Sequence, residues 1–341
     1  MKRGKSFLFT SGAGALLALL ASSIGAGEIG VCPPYSKTFG PDDPPEAMLA
    51  FLAEINSRPG GGTLILEPGD YGEVISPTRT PVSGVVCIRR QPGATGFAHL
   101  GWSLDVESDA TLTLRSVQLH SDIAGPNVAV DDGGLLFAER SGFSDGNWAS
   151  YLSNAGFMYA VNCSFPETIN NGVLIVYGGQ ITNESIAGGY DPGTGLDNSG
   201  YAFLDGVRLV RGGSDNYKAY GGAGIRNRAS GVVSVTRSTI ADNGSCCWYA
   251  DACGNACGDG GILNTEGGYL EIAQSIVANN IEGDCFGPVT DLGYNVFGPG
   301  GGCTVTASTS IEADPLFVGE GDYDWFGPEL GAGSPAIDLI P

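Results

Sequence analysis

The sequence predicts an all-β fold in which one chain coils into a parallel β-helix, a solenoid of stacked rungs. The stretch from Gly222 to Asn243 is repeated from Gly260 to Asn280, with glycine, isoleucine, asparagine and serine at matching positions. Glycine accounts for 56 of 341 residues without a collagen period, which is typical of many tight turns. Such repetition indicates that each copy covers the next, because one coil cannot bury its own apolar face.

A shorter unit recurs within the repeat: an apolar residue, any residue, a second apolar residue, four residues and a third apolar residue. The alternation predicts a short strand with one inward face, and the gap of four is long enough to bend the chain. A β-sandwich or barrel is the weaker alternative, because it would need hairpin turns. The unit occurs at Leu112, Leu114, Leu119; Leu136, Ala138, Phe143; Leu174, Val176, Ile181; Ala202, Leu204, Leu209; Val233, Val235, Ile240; and Leu270, Ile272, Val277.

Residues 1–26 are predicted to be a secretory signal peptide. Three cations precede an apolar stretch and then small residues, with cleavage expected between Ser23 and Ala26. Residues 27–341 then form a single β-helix domain. A retained anchor helix and a lipoprotein anchor at Cys32 are weaker alternatives, and no later segment has the length and apolarity of a membrane span.

The N-terminal end of the solenoid is predicted to be covered by an amphipathic helix at about residues 43–57. Asp42 or Asp43 is expected as its N-cap, and Pro44 falls in the first turn. Rungs are expected over about residues 61–280, and an uncovered end would be an edge prone to aggregation. The predicted apolar face of the helix consists of Met48, Leu49, Leu52 and Ile55.

Nine cysteines in an exported chain predict disulfide bonds. Cys285 and Cys303 are expected to pair and to close the C-terminal segment 281–341. Cys32 and Cys87 are candidates for another pair, which leaves Cys163 odd. A further cluster has enough cysteines for two bridges and consists of Cys246, Cys247, Cys253 and Cys257. A zinc site is the weaker alternative for this cluster, because the paired spacing of a zinc ribbon is missing.

The formal net charge is −21, with 16 basic and 37 acidic residues. This charge argues against nucleic acid or anionic lipid as a partner, and it disfavours an acidic polysaccharide unless cations bridge the two. Hydrophobic residues make up 42% of the chain, which is enough for a large core and excludes general disorder.

Three stretches resemble the secreted right-handed parallel β-helix proteins with the pectin-lyase-like fold. "DDPPEAMLAFLAEINSRPGGGTLILEPGDY" is similar to the cap and first rung of that fold, and the two copies of GG-I-x-N are similar to its rungs. "CFGPVTDLGYNVFGPGGGC" and the ending "SPAIDLIP" resemble the closing segment of the choice-of-anchor Q type. The resemblance implies a right-handed helix, an extracellular or cell-surface location and a polysaccharide or cell-surface partner.

Enzymes of this fold, by the same resemblance, carry acidic residues and an Arg or Lys on neighbouring rungs of one open face. Such a set supports β-elimination or, with two carboxylates, glycoside hydrolysis. Lys218 and Arg226, in the most cationic part of the chain, and Asp242 are the candidates, and a solvated face with ordinary ion pairs is the alternative. Asp131 and Asp132 are further candidates, although adjacent strand residues face opposite ways, which favours a polar turn.

Three aromatic residues, Trp102, Trp148 and Tyr151, are candidates for stacking on sugar rings, with packing in the core or loops as the alternative. No cofactor is predicted apart from a possible calcium ion near Asp191 and Asp197, where the spacing of an EF-hand is absent. The histidines His99 and His120 are expected to be structural or exposed.

The leading functional hypothesis is a secreted or cell-surface β-helix without catalytic activity that presents a rigid face to a glycan or a surface protein. The alternative is a polysaccharide lyase or another carbohydrate-active enzyme. Convergence of Lys218, Arg226, Asp242 and an acid from a neighbouring rung in one cleft would favour the enzyme.

Overall fold

The computed structural model contains a parallel β-helix with a short helix near each end, and the predicted fold class is confirmed. None of the helices in the part described has the length and hydropathy of a membrane span. The structure describes residues 30–73, 79–121, 125–145, 150–182, 194–210, 223–244, 260–281, 283–318 and 328–339.

The helices of this part are α1 (Pro45–Ser57) and α2 (Pro335–Leu339). In chain order the strands are β1 (Ser36–Phe39), β2 (Gly62–Leu66), β3 (Gly69–Glu73), β4 (Thr80–Val82), β5 (Val85–Arg90), β6 (Ala98–Gly101), β7 (Leu104–Val106), β8 (Thr111–Arg115), β9 (Val117–Ser121), β10 (Gly125–Val130), β11 (Leu135–Glu139), β12 (Gly142–Asp145), β13 (Ser150–Asn154), β14 (Phe157–Phe165), β15 (Thr168–Asn170), β16 (Val173–Thr182), β17 (Leu196–Asn198), β18 (Tyr201–Asp205), β19 (Arg208–Val210), β20 (Ile225–Asn227), β21 (Val232–Thr236), β22 (Thr239–Ala241), β23 (Ile262–Asn264), β24 (Tyr269–Ala273), β25 (Ile276–Ala278), β26 (Cys285–Phe286), β27 (Thr290–Asp291), β28 (Val296–Phe297), β29 (Ile311–Glu312), β30 (Phe317–Val318) and β31 (Glu329–Leu330).

Most of these strands stack in parallel into three ladders, each running along the solenoid. Ladder A contains β1, β2, β5, β8, β11, β14, β16, β18, β21, β24 and β27. Ladder B contains β3, β6, β9, β12, the ends of β14 and β16, β19, β22, β25, β28 and β29. Ladder C contains β4, β7, β10, β13, β15, β17, β20, β23 and β26. The parallel pairing therefore continues past residue 280, as far as Glu312.

The recurring apolar unit forms the core, as predicted. In each copy the first two apolar residues lie on a strand of ladder A, the third lies on ladder B, and all three are buried. The two repeated stretches are stacked: Val233 pairs with Leu270 and Val235 pairs with Ile272 on the neighbouring rung. Each rung thus covers the apolar side chains of the one before it.

On five rungs the bend between ladders A and B contains one non-glycine residue in the left-handed region of φ. Ser116, Arg140, Asn162, Arg237 and Gln274 occupy this position, with φ between 48° and 55°. A single residue in this conformation turns the chain sharply, which explains why the gap in the apolar unit has a constant length.

The turn between ladders C and A contains a stack of buried asparagines: Asn154, Asn170, Asn198, Asn227 and Asn264. The Nδ2 of each of the first four donates to the Oδ1 of the next asparagine at 2.7–2.9 Å. Most also donate to backbone carbonyls, as Asn227 does to Gly231. The repeated asparagine of the sequence therefore satisfies buried polar groups of the turn and is structural.

Helix α1 covers the first rung with Met48, Phe51, Leu52 and Ile55. The predicted N-cap is wrong: Pro44 occupies that position without a side-chain cap, since Asp43 instead accepts a hydrogen bond from the Gly40 amide. Leu49 is partly buried and packs against the core, and Phe51, which was not predicted, is buried beside Tyr35.

Two disulfides connect four of the five described cysteines. Cys285 bonds to Cys303 and Cys32 bonds to Cys87, which confirms both predicted pairs. Cys163 is buried and free, and burial raises the pKa of its thiol to about 11. The predicted bridges of Cys246, Cys247, Cys253 and Cys257 lie outside the described residues.

Asp291, in the motif DLGYN, holds the last rung together. Its carboxylate accepts hydrogen bonds from the side chains of Asn295 and Ser310 and from the amides of Gly293, Thr306 and Ala307. Burial alone would raise the pKa of this carboxyl, but these hydrogen bonds outweigh burial and lower it. The motif is therefore a structural closure.

Candidate functional site

The outward face of ladder A is apolar from β11 to β18. Side chains alternate across a strand, so a sheet with one solvated face ordinarily has polar outward residues. Here the outward residues are large and apolar; Tyr201 and Leu135 are 45% and 36% exposed, whereas Ile175 is 2% exposed. We call this set the platform: Leu135, Phe137, Phe157, Tyr159, Val173, Ile175, Tyr177, Tyr201 and Phe203.

The strand register aligns the platform in rows parallel to the solenoid axis. The outer row contains Leu135, Phe157, Val173 and Tyr201, one from each rung. The next row contains Phe137, Tyr159, Ile175 and Phe203 in the same register. Since neighbouring strands lie roughly 4.8 Å apart, each row repeats at that interval.

Aromatic rings of the platform contact one another across the rungs. The Tyr177 ring centroid lies 5.7 Å from that of Tyr159 and 5.6 Å from that of Phe203, and Phe137 lies 6.1 Å from Phe157. These separations lie in the range of favourable aromatic pairs. Burial raises the pKa of both Tyr159 and Tyr177, so their hydroxyls are uncharged at neutral pH.

A groove of about 450 Å³ lies beside the outer row. Its floor contains a glycine on each rung, among them Gly172 and Gly200. A Cβ atom at Gly172 would lie 2.1 Å from the Gly156 carbonyl oxygen, and one at Gly200 would lie 2.2 Å from that of Gly172. These positions therefore require glycine for neighbouring rungs to stack closely, because any side chain would collide with the backbone of the preceding rung.

The side of the groove away from the outer row is polar in part. Asp132, Asn171 and Ser199 contribute a carboxylate, a carboxamide and a hydroxyl, and Ala155 lies among them. The Ser199 hydroxyl donates to Asn171 Oδ1, and the Ser230 hydroxyl donates to the Ser199 carbonyl. A ligand in the groove would thus contact apolar rings on one side and hydrogen-bonding groups on the other.

Two ion pairs border the platform. Arg237 forms a bidentate pair with Asp205, whose side chain is buried, and Arg237 Nε lies 2.7 Å from Asp205 Oδ1. Arg115 Nε lies 3.6 Å from Glu139 Oε2. Because each arginine is neutralised by a neighbouring carboxylate, these cations leave little net positive charge beside the apolar face.

The aromatic candidates of the sequence do not form this surface. Trp102 is 2% exposed, so its ring packs in the core and offers no face to a ligand. Tyr151 lies half-buried on β13 of ladder C. Trp148 lies outside the described residues.

The described catalytic candidates lie on different parts of the coil. Arg226 is on β20 of ladder C, paired in register with Asp197, and Asp242 follows the ladder B strand β22. Asp131 and Asp132 lie exposed in the turn between ladders C and A, as the polar-turn interpretation expected. Lys218 lies outside the described residues, so the proposed convergence stays a prediction.

The calcium candidate Asp197 lies on strand β17, where Arg228 Nε donates to its Oδ1 at 2.7 Å. This bidentate ion pair satisfies the carboxylate. Asp191 is outside the described residues, and no group of three or more His, Cys, Asp or Glu with metal-binding geometry occurs within them.

The platform has a sequence signal that pattern analysis missed. The strands "LLFAE", "FMYAV", "VLIVY" and "YAFLD" carry large apolar residues at outward as well as inward positions. Only the register shows that these outward residues share one face on consecutive rungs.

No family model, no curated protein and no solved structure matches this chain. The resemblance to pectin-lyase-like β-helix proteins therefore stays a prediction, and functional arguments rest on the site itself.

Proposed function

We propose that this protein is a secreted or cell-surface β-helix that binds a glycan through the platform and the adjoining groove. The observation that carries the proposal is the combination of an outward apolar, aromatic face with a polar-walled groove on the same rungs. The two disulfides fit an oxidising, extracytoplasmic compartment.

Sugar rings present apolar C–H faces as well as hydroxyl groups. The exposed ring of Tyr201 and the half-buried ring of Phe157 provide surfaces on which such faces can stack. Asp132, Asn171 and Ser199 provide partners for hydroxyl groups. A surface-protein partner would use the apolar face, but the polar wall on the same rungs favours a sugar.

The scaffold also favours binding. The platform side chains come from paired strands whose inward residues are buried, so little conformational entropy remains to be lost on binding.

The test is affinity electrophoresis and calorimetry with hydroxyethylcellulose, mannan, xylan, soluble starch, polygalacturonate and chondroitin sulfate. We expect at least one glycan to bind, and Tyr201→Ala to weaken that binding by roughly tenfold, since a well-stacked ring contributes up to about 1.5 kcal/mol. Tyr294→Ala is the matched control, because Tyr294 is similarly exposed, at 42% against 45%, on the distant closing segment.

Absence of binding to every glycan, or equal binding by the Tyr201 and Tyr294 variants, would contradict the proposal. Appearance of unsaturated products absorbing in the ultraviolet would instead support the lyase alternative.

A further inference from the structure

We propose that the site takes an uncharged, linear glycan lying parallel to the solenoid axis, with successive sugar units on successive rungs. This inference rests on the proposed function and adds the charge class of the glycan and the direction in which it lies. It follows from three features of the groove: its structure repeats from rung to rung, it continues along the solenoid, and the net charge around it is negative.

The groove repeats the same local structure on each rung. A floor glycine is followed directly by an outward platform residue, so each rung offers a gap beside an apolar side chain. Because rungs are roughly 4.8 Å apart, a ligand whose units repeat by translation meets a glycine and an apolar side chain at each step. The pairs are Gly134 with Leu135, Gly156 with Phe157, Gly172 with Val173 and Gly200 with Tyr201.

The groove follows the solenoid instead of ending in a pocket. Beyond Tyr201 the row of glycines continues through Gly231 and Gly268, and the outer row continues through Val232 and Tyr269. Toward the N-terminus the glycine position is occupied by Ala110, directly before β8. An interior stretch of a chain can therefore occupy the site, and recognition of a terminal sugar is not required.

The charges around the groove disfavour an acidic chain. Asp131 and Asp132 are exposed at one end of the polar wall. The arginines bordering the platform are paired with Glu139 and Asp205 and have little attraction left for a uronate or sulfate. With a net charge of −21, the chain as a whole also repels polyanions.

The first experiment measures affinity against chain length by calorimetry, with oligosaccharides of two, four and six units cut from the glycan that binds best. We expect affinity to rise by at least tenfold from two units to four, because the platform spans four rungs. Reduction of the terminal sugar to an alditol should leave the affinity of the hexasaccharide unchanged.

The second experiment uses the two ends of the outer row. Leu135 and Tyr201 lie three rungs apart, about 14 Å at the usual strand spacing. We expect Leu135→Ala and Tyr201→Ala each to weaken binding of the tetrasaccharide, whereas binding of a disaccharide, too short to touch both, should be weakened by at most one of them. Tyr294→Ala is again the control.

The third experiment tests charge with tetragalacturonate and the neutral tetrasaccharide. We expect the acidic probe to bind at least tenfold more weakly at low ionic strength, with a smaller difference in added salt. Asp131→Asn removes an exposed charge beside the groove but no residue of its lining, so it should strengthen binding of the acidic probe and leave that of the neutral one within about twofold.

The outcomes separate this inference from the function on which it rests. If no glycan binds, the proposed function fails. If a glycan binds but affinity stops rising at two units, depends on the free chain end, or is equal for tetragalacturonate, the glycan-binding function stands and the inference is overturned.

Discussion

The outward faces of ladders A and B differ although both cover the same core. On ladder A the outer row is apolar, with Leu135, Phe157, Val173 and Tyr201 on consecutive rungs. On ladder B the aligned outward residues are His99, Gln118, Gly142, Ser164, Gln180, Arg208 and Thr239. The fold needs apolar residues only inside, so ladder B shows the ordinary surface of this solenoid, and the apolar surface of ladder A requires another explanation.

The largest loss of stability is expected when inward-facing residues are truncated. Val235 and Ile272 pair on neighbouring rungs of ladder A and are fully buried. We expect Ile272→Ala to lower the free energy of unfolding by about 2–5 kcal/mol, and Val235→Ala by somewhat less. Because both remove atoms from one region of the core, the double variant should deviate from additivity by roughly 0.5 kcal/mol or more in denaturant unfolding. Strict additivity would show that the two side chains are not in contact.

The next effect concerns the bend that separates the two ladders. Arg237 and Gln274 occupy equivalent positions with φ of 48° and 51°, but only Arg237 pairs with the buried carboxylate of Asp205. We expect Arg237→Ala to lower the free energy of unfolding by about 1–3 kcal/mol, because Asp205 loses its charged partner. Gln274→Ala, as the matched control, should change it by less than about 0.5 kcal/mol.

Adding Asp205→Asn to Arg237→Ala should restore part of the stability. Equal effects of the two single alanine variants would show that the ion pair contributes nothing. From the sequence alone both bend residues look solvent-exposed and interchangeable, since the buried partner lies on another rung.

The third expected loss of stability concerns the last rung, where Asp291 lies on ladder A. Its carboxylate accepts hydrogen bonds from Asn295 and Ser310, the residues directly before the ladder B strands β28 and β29. The pKa of Asp291 is lowered, so its ionised form stabilises the fold above the unfolded value of about 3.9, and this contribution is lost as pH falls through the lower folded value. We expect Asp291→Asn to be destabilising by about 1–2 kcal/mol at pH 7, which is typical of a hydrogen-bonded charged group.

The difference in the free energy of unfolding between wild type and Asp291→Asn should narrow as the pH falls below about 4, because the wild-type carboxyl then becomes protonated. Thermal unfolding across pH 2–7 measures this difference. A difference independent of pH would show that ionisation of Asp291 does not contribute to closing the last rung.

The core was predictable because an inward position must be apolar on every rung, so Val233, Val235 and Ile240 repeat as Leu270, Ile272 and Val277. The disulfides were predictable from the expected export of the chain and from the positions of the cysteines in the sequence. The platform was not predictable from the sequence, because neighbouring members of its outer row are 16 to 28 positions apart. Phe157 and Val173 are 16 apart, Val173 and Tyr201 are 28 apart, and only the strand register aligns them. Trp102 failed as a candidate because a large aromatic ring is suited equally to a core and to a binding face.

The smallest effect on stability gives the sharpest comparison of the two faces. Tyr201→Ala on ladder A and Thr239→Ala on ladder B both truncate outward side chains that are not fully buried. We expect each to change the free energy of unfolding by no more than about 0.5 kcal/mol, which is usual for surface positions. The two should differ in glycan binding: Tyr201→Ala should weaken it by roughly tenfold, whereas Thr239→Ala should leave it unchanged. If Tyr201→Ala instead lowered stability strongly and left binding intact, the apolar face of ladder A would serve the fold, and the contrast with ladder B would carry no functional meaning.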